Sequence, residues 1–189
     1  MSQPHDDPTT KRVTTPREGV LHSGWDPTAP IDAPLRLHET PVKPDWVDYN
    51  GHMSESCYLL AFGDNADAFF RYFGIDETYR AEGGSLYTAE THLHHLREVS
   101  EGDPLAMTLQ VLGVDAKRVH LVHEMRRGDT GELVATAEQM LLHVDMAAGR
   151  VAPMPTYLLE RLQAIRTAHA ALDVPDYVGH VMHLPEPSL

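Results

Sequence analysis

From Ser54 to Gly74 the apolar residues Tyr58, Leu59, Phe62, Ala66, Phe69, Phe70 and Phe73 recur at a spacing near 3.6. That period predicts one long helix with a broad apolar face, Ser54 standing as its N-cap and Gly74 as its C-terminal stop. Such a face must be buried against something. Residues Ser85 to Val144 supply it, with strand-like text broken only by turn residues at Glu101-Gly102-Asp103-Pro104, Gly113-Val114-Asp115 and Gly128-Asp129-Thr130-Gly131. Alternation is clearest in Val119-Leu121-His123-Met125 and in Val134-Thr136-Glu138-Met140-Leu142-Val144. A first strand from Leu35 ends at Lys43-Pro44, and Pro155 opens a second helix running to about His169. Strand, long helix, four antiparallel strands and a peripheral helix make an α+β domain with the helix packed on the sheet.

At 189 residues the chain suits one such domain, here placed at 35–170. Residues 1–34 carry Pro4, Pro8, Pro16, Pro27, Pro30 and Pro34 without a sustained period and read as an extended or partly disordered arm, which Leu21 and Trp25 could pin to the domain. Residues 171–189, with Pro175, Pro185 and Pro187, read as a tail. Twenty-eight acidic against 15 basic residues give a net charge of −13, which argues against nucleic acid as a partner and favours a cationic ligand group. No apolar run is long enough for a bilayer span, and the N-terminus lacks the basic-then-apolar order of a secretion signal, so no membrane association and a cytoplasmic location are expected. Cys57 is the single cysteine, which removes internal disulfides and paired-cysteine metal or redox sites.

The chemistry concentrates in Asp45-Trp46-Val47-Asp48-Tyr49-Asn50-Gly51-His52-Met53, the link between the first strand and the long helix. A helix N-terminus presents unpaired N–H groups and a positive dipole end, where a thioester oxygen would be stabilised as it gains charge. Asp48 could act beside it as general base or nucleophile. The same Asp-Tyr-Asn-Gly string is equally good turn chemistry. His92, His94, His95, His120 and His123 invite a metal reading, yet no cysteine or carboxylate set completes one, and no metal is expected. Lys117-Arg118 and Arg126-Arg127 are the densest basic clusters and could receive phosphates.

The segment Asp48 to Met53, followed by Tyr58 and a helix, resembles the Asp-x-x-Gly signature of the 4-hydroxybenzoyl-CoA thioesterase-like hotdog family, over roughly Leu35 to Tyr157. The resemblance implies a hotdog fold, a long central helix wrapped by an antiparallel sheet, and hydrolysis of an acyl-CoA in a homodimer or dimer of dimers whose sites draw on both subunits. It implies that Asp48 is the catalytic carboxylate and that the Glu55 backbone N–H is the oxyanion donor. Asn50 and His52 are assigned supporting roles, His52 departing from the aliphatic residue of some branches. Asp64 and Asp67 are rivals, because another hotdog branch carries its carboxylate on the helix. The longer strings around Trp46, Tyr87 and Lys117 resemble thioesterases of bacterial carnitine breakdown, which hydrolyse betainyl-CoA. Trp46, Tyr49, Tyr58 and Tyr87 could then face the quaternary ammonium and Glu90 add a counter-charge, with Lys117 and Arg118 toward coenzyme A. No cofactor is implied, coenzyme A being part of the substrate. A hotdog hydratase or dehydratase using His52, and a non-catalytic acyl-CoA-binding module, are the alternatives.

Overall fold

The structure, a computed structural model, describes residues 15–18 and 25–184. Five long or medium strands, β1 (Leu35–Pro41), β2 (Gly84–His95), β3 (Pro104–Val114), β4 (Arg118–Arg127) and β5 (Leu133–Asp145), form an antiparallel sheet in the order β1-β3-β4-β5-β2, with a short β6 (Arg150–Val151) on β5. Register shifts at Leu35/His38, Thr88/Glu90, Val111/Gly113 and Met125/Arg126 mark bulges in successive ladders. Bulges add twist and bend, which curl the sheet around a helix.

That helix is α1 (Glu55–Phe73), with Ser54 at the N-cap and Gly74 left-handed (φ 118°) at the C-cap, where the sequence places its limits. Its Tyr58, Ala61 and Phe62 pack with Val42, Trp46, Met53, Leu105, Met107 and Met125. About two and three turns further along, Phe69 and Phe73 pack with Leu109, Leu121 and Leu141 and with Leu158, Leu162 and Ile165 of a second long helix. Each fully buried phenylalanine contributes about 2–3 kcal/mol of transfer free energy. The second long helix, α3 (Thr156–Ala168), follows a one-turn α2 (Glu77–Ala81) in the chain. The sequence period does not announce α2, because five residues carry too few apolar positions; it starts on Asp76, whose carboxylate accepts from Tyr79 N at 2.9 Å. The β3–β4 turn falls at Asp115–Lys117, not at Gly113–Asp115 as expected: the bulge beside Gly113 lets β3 continue to Val114, and Asp115 Oδ1 accepts from Lys117 N and Arg118 N.

Leu21 lies outside the described residues, as does most of the expected arm. Trp25 does pack on the domain, its ring edge-on to Tyr72 at 5.5 Å with the Arg161 guanidinium over it at 5.8 Å. The start of the tail is laid across the sheet on the side away from α1. Gln110 Nε2 donates to Asp173 O, Tyr177 Oη donates to Glu124 Oε1, and Gly179 N donates to Glu138 Oε2. His180 then meets the rings of His92 and His94 on β2.

Candidate active site

The link between β1 and α1 folds into a closed turn against the start of the helix. Asp48 N donates to His52 O at 2.9 Å, Gly51 N donates to Asp48 O at 3.0 Å, and Ser54 N donates to Trp46 O at 2.8 Å. Gly51 takes φ 81°, the left-handed conformation such a turn requires. Asp48 Oδ1 accepts from Asn50 N at 2.7 Å. The turn reading of this string holds, and it leaves room for the site reading: one carboxylate oxygen closes the turn, and the half-buried side chain keeps a second oxygen.

Ser54 occupies the N-cap without making a side-chain cap hydrogen bond. A cap normally occupies one of the free first-turn N–H groups; here Cys57 N donates to Ser54 O at 2.9 Å, and the N–H groups of Glu55 and Ser56, with the helix dipole, are left for another acceptor among the described residues.

The strand exit of β2 is stitched to the same place. Met53 N donates to Val99 O at 2.8 Å, Tyr58 Oη donates to Arg97 O at 3.1 Å, and His52 Nε2 stands 3.6 Å from Glu98 Oε2. Between the two segments opens a cleft of about 420 Å³ lined by Met53, Glu55, Tyr58, His95, Leu96, Arg97 and Glu98. His95 and Tyr58 meet edge-on at 4.8 Å along its wall. In the sequence His95 stood out only within the metal reading, and Glu98 not at all. Period-2 alternation along β2 is the signal that sets His95 on the α1 side; nothing local marks Glu98.

The remaining expected residues are distributed more widely. Trp46 is buried in the core, one ring face covered by Lys43 Nζ at 4.6 Å, whereas Tyr49 is 97% exposed. Tyr87 and Arg118 both pair opposite Leu142, at the other end of the sheet from Asp48. Ten residues of β4 separate Arg118 from Arg127, roughly 30 Å, so one chain does not bring Lys117, Arg118 or Tyr87 to the Asp48 turn. Arg118 also pairs with Asp115 at 2.7 Å, and Arg126 and Arg127 are held by Glu124, Asp103 and Asp129. Glu90 lies on the face away from α1, beside His92, His120 and Glu138 under the tail.

Of the helix rivals, Asp67 is engaged structurally, accepting from Arg71 Nε at 2.6 Å and Thr15 Oγ1 at 2.8 Å. Asp64 is buried, and desolvation raises its pKa. The histidines divide between the two sides of the sheet. His92, His94 and His120 face outward, while His123 is fully buried against α1, where Asn65 Nδ2 donates to its Nδ1 and its Nε2–H donates to Gln139 Oε1.

Residues 42–162 match the thioesterase-like superfamily. The chain belongs to that superfamily. Among solved structures, this thioesterase-like chain is similar to the Staphylococcus aureus protein SAV2348 in complex with CoA, at 25% identity and a TM-score of 0.76, over 83% of this chain and 100% of that one. It is 45% identical to a betainyl-CoA thioesterase of Pseudomonas aeruginosa, over 80% of this chain and 96% of that protein. It is 46% identical to an L-carnitine dehydrogenase/betainyl-CoA thioesterase of Rhizobium meliloti, over 85% of this chain; the matched part is 33% of that longer protein. No helix among the described residues is long and apolar enough to cross a membrane.

Proposed function

We infer that this thioesterase-like chain hydrolyses betainyl-CoA to glycine betaine and coenzyme A, with Asp48 as the reacting carboxylate. The observation that carries the reading is the Asp48 turn folded directly onto the uncapped N-terminus of α1, in a chain whose relatives of 45% and 46% identity bear that activity in their names. The thioester carbonyl oxygen points at the Glu55 N–H, which stabilises the charge that develops as the carbonyl carbon becomes tetrahedral. Asp48 either takes a proton from the attacking water or attacks the carbonyl itself. In both cases the C–S bond breaks, the sulfur leaves as coenzyme A, and one water is consumed. Asn50 and His52 border the turn and orient the reacting groups.

The working unit in this reading is a homodimer in the cytoplasm, where coenzyme A esters are found. β2 is a 12-residue strand at one end of the strand order, so its outer edge is free to pair among the described residues. Leu59 and Leu96, 44% and 41% exposed, add apolar surface for a partner. Antiparallel joining of two β2 edges about a two-fold axis carries the partner's Tyr87, Lys117 and Arg118 toward the Asp48 end of this chain, where the basic pair would meet the coenzyme A phosphates.

A thiol-release assay tests the reading directly. The protein is run against betainyl-CoA, acetyl-CoA and an aromatic acyl-CoA, with Asp48→Asn beside it. Betainyl-CoA turnover should fall roughly a hundredfold or more in the variant while its melting temperature is kept. Full activity in Asp48→Asn removes the site assignment. Turnover of another ester alone removes the betainyl assignment, and binding without thiol release favours the non-catalytic module.

A further inference from the structure

A trimethylammonium group carries a full positive charge and no N–H, so carboxylates and the faces of aromatic rings are the groups best suited to recognise it. The cleft beside the Asp48 turn offers both. Its wall is the Tyr58–His95 pair, rings 4.8 Å apart. Its charged lining is Glu55, Arg97 and Glu98, and Arg97 is turned away, Nε donating to Glu132 Oε1 at 3.1 Å and Nη1 to Leu96 O at 2.8 Å. The two carboxylates are left to set the sign of the cleft. Glu55 belongs to the first turn of α1, whose backbone N–H serves the thioester oxygen; Glu98 lines the same cleft and is tied to the motif by its 3.6 Å approach to His52. Glu90, the acidic residue that sequence alone suggested, is on the opposite face of the sheet.

We propose that Glu98, facing the Tyr58–His95 wall, is the residue that selects a cationic acyl group at this site. The inference rests on the betainyl-CoA reading and adds to it the residue that distinguishes this substrate from a neutral one of the same shape. Its side chain is 77% exposed, so the ion pair with the ammonium is a solvent-screened one, strengthened as bound substrate excludes water.

The experiment compares two substrates, betainyl-CoA and 3,3-dimethylbutyryl-CoA, in which carbon replaces the ammonium nitrogen and the charge is lost at nearly constant shape. The ratio of their kcat/KM values is measured for the unsubstituted protein, Glu98→Gln and Glu98→Lys. The ratio should fall about fivefold in Glu98→Gln, the fold-change of one exposed ion pair, and further in Glu98→Lys. The loss should sit in KM for betainyl-CoA, because the charge interaction is the same in ground and transition states. A merely structural role for Glu98 would lower both substrates together and leave the ratio alone. An unchanged ratio with both esters hydrolysed overturns the inference and leaves the betainyl-CoA reading standing. Hydrolysis of the neutral ester alone by the unsubstituted protein overturns both.

Discussion

Acidification should unfold this protein through one histidine in particular. His123 is fully buried between α1 and the sheet, and burial pulls its pKa down from 6.5 to about 4, only partly opposed by the hydrogen bond to Gln139. In the unfolded chain the same ring takes up a proton near pH 6.5. The neutral ring is thus the folded form; the stability it supports is complete above pH 6.5 and is lost as pH falls from there toward 4. The two values give a loss of about 2 kcal/mol between pH 7.5 and pH 5, and about 3 kcal/mol once pH is below 4. His123→Gln keeps a hydrogen-bonding end toward Gln139 but cannot titrate. Urea unfolding of both proteins at pH 7.5 and pH 5 isolates the effect, because other acid-sensitive groups such as His38, also held to about 4 by burial, cancel in the difference. The unsubstituted protein should lose about 2 kcal/mol more than the variant across that interval. Equal losses would mean that the ring is protonated or hydrated in the folded state and would refute the reasoning.

Gly74→Ala should cost about 1–2 kcal/mol, read by thermal unfolding: φ is 118°, and a Cβ there would stand 2.5 Å from Arg161 Nη1, which itself donates to Phe73 O. Arg71→Leu should cost about 3 kcal/mol, because Arg71 is 1% exposed and its loss strips the pairing from Asp67, 13% exposed; a smaller cost than 1 kcal/mol would show that water reaches Asp67. Ending the chain after Leu172 should lower stability by about 2 kcal/mol and increase dye binding, since the outer face of β3, β4 and β5 loses its cover; an unchanged melt would show that the tail is not held there.

The long helix and the four-strand run were legible because their signals are periodic and their limits are chemical. Ser54 and Gly74 bracket α1 as read, and Gly102 and Gly131 mark turns where the chain does reverse. The role proposed for Asp48 rests on resemblance more than on local chemistry, since its string specifies a turn whether or not a site is present. What escaped is what depends on topology. The pairs Lys117-Arg118 and Asp48 are close in a list of charged and polar candidates, but the β3–β4 hairpin runs them to opposite ends of the sheet. Trp46 was read as a binding face, yet it is 4% exposed and packs in the core; Tyr58, equally buried, packs there too while lining the cleft beside His95. His92 through His123 formed one cluster on paper, and strand alternation divides them between two faces. Glu98 follows β2 in a loop with no period at all, and only the fold sets it beside His52.

The tail laid over the sheet changes the meaning of alternation in the central strands. In a sheet with one wet face, the outward residues of β4 and β5 would tolerate nearly any polar substitution. Here Val122 points outward and is still 2% exposed, because the chain's own C-terminal segment, with Asp173, Pro175 and Tyr177 beside it, forms a thin third layer there. Sequence drift at that position is therefore coupled to drift in residues 173–177, and a homologous domain that lacks the segment would need a polar residue there to remain soluble as a separate molecule.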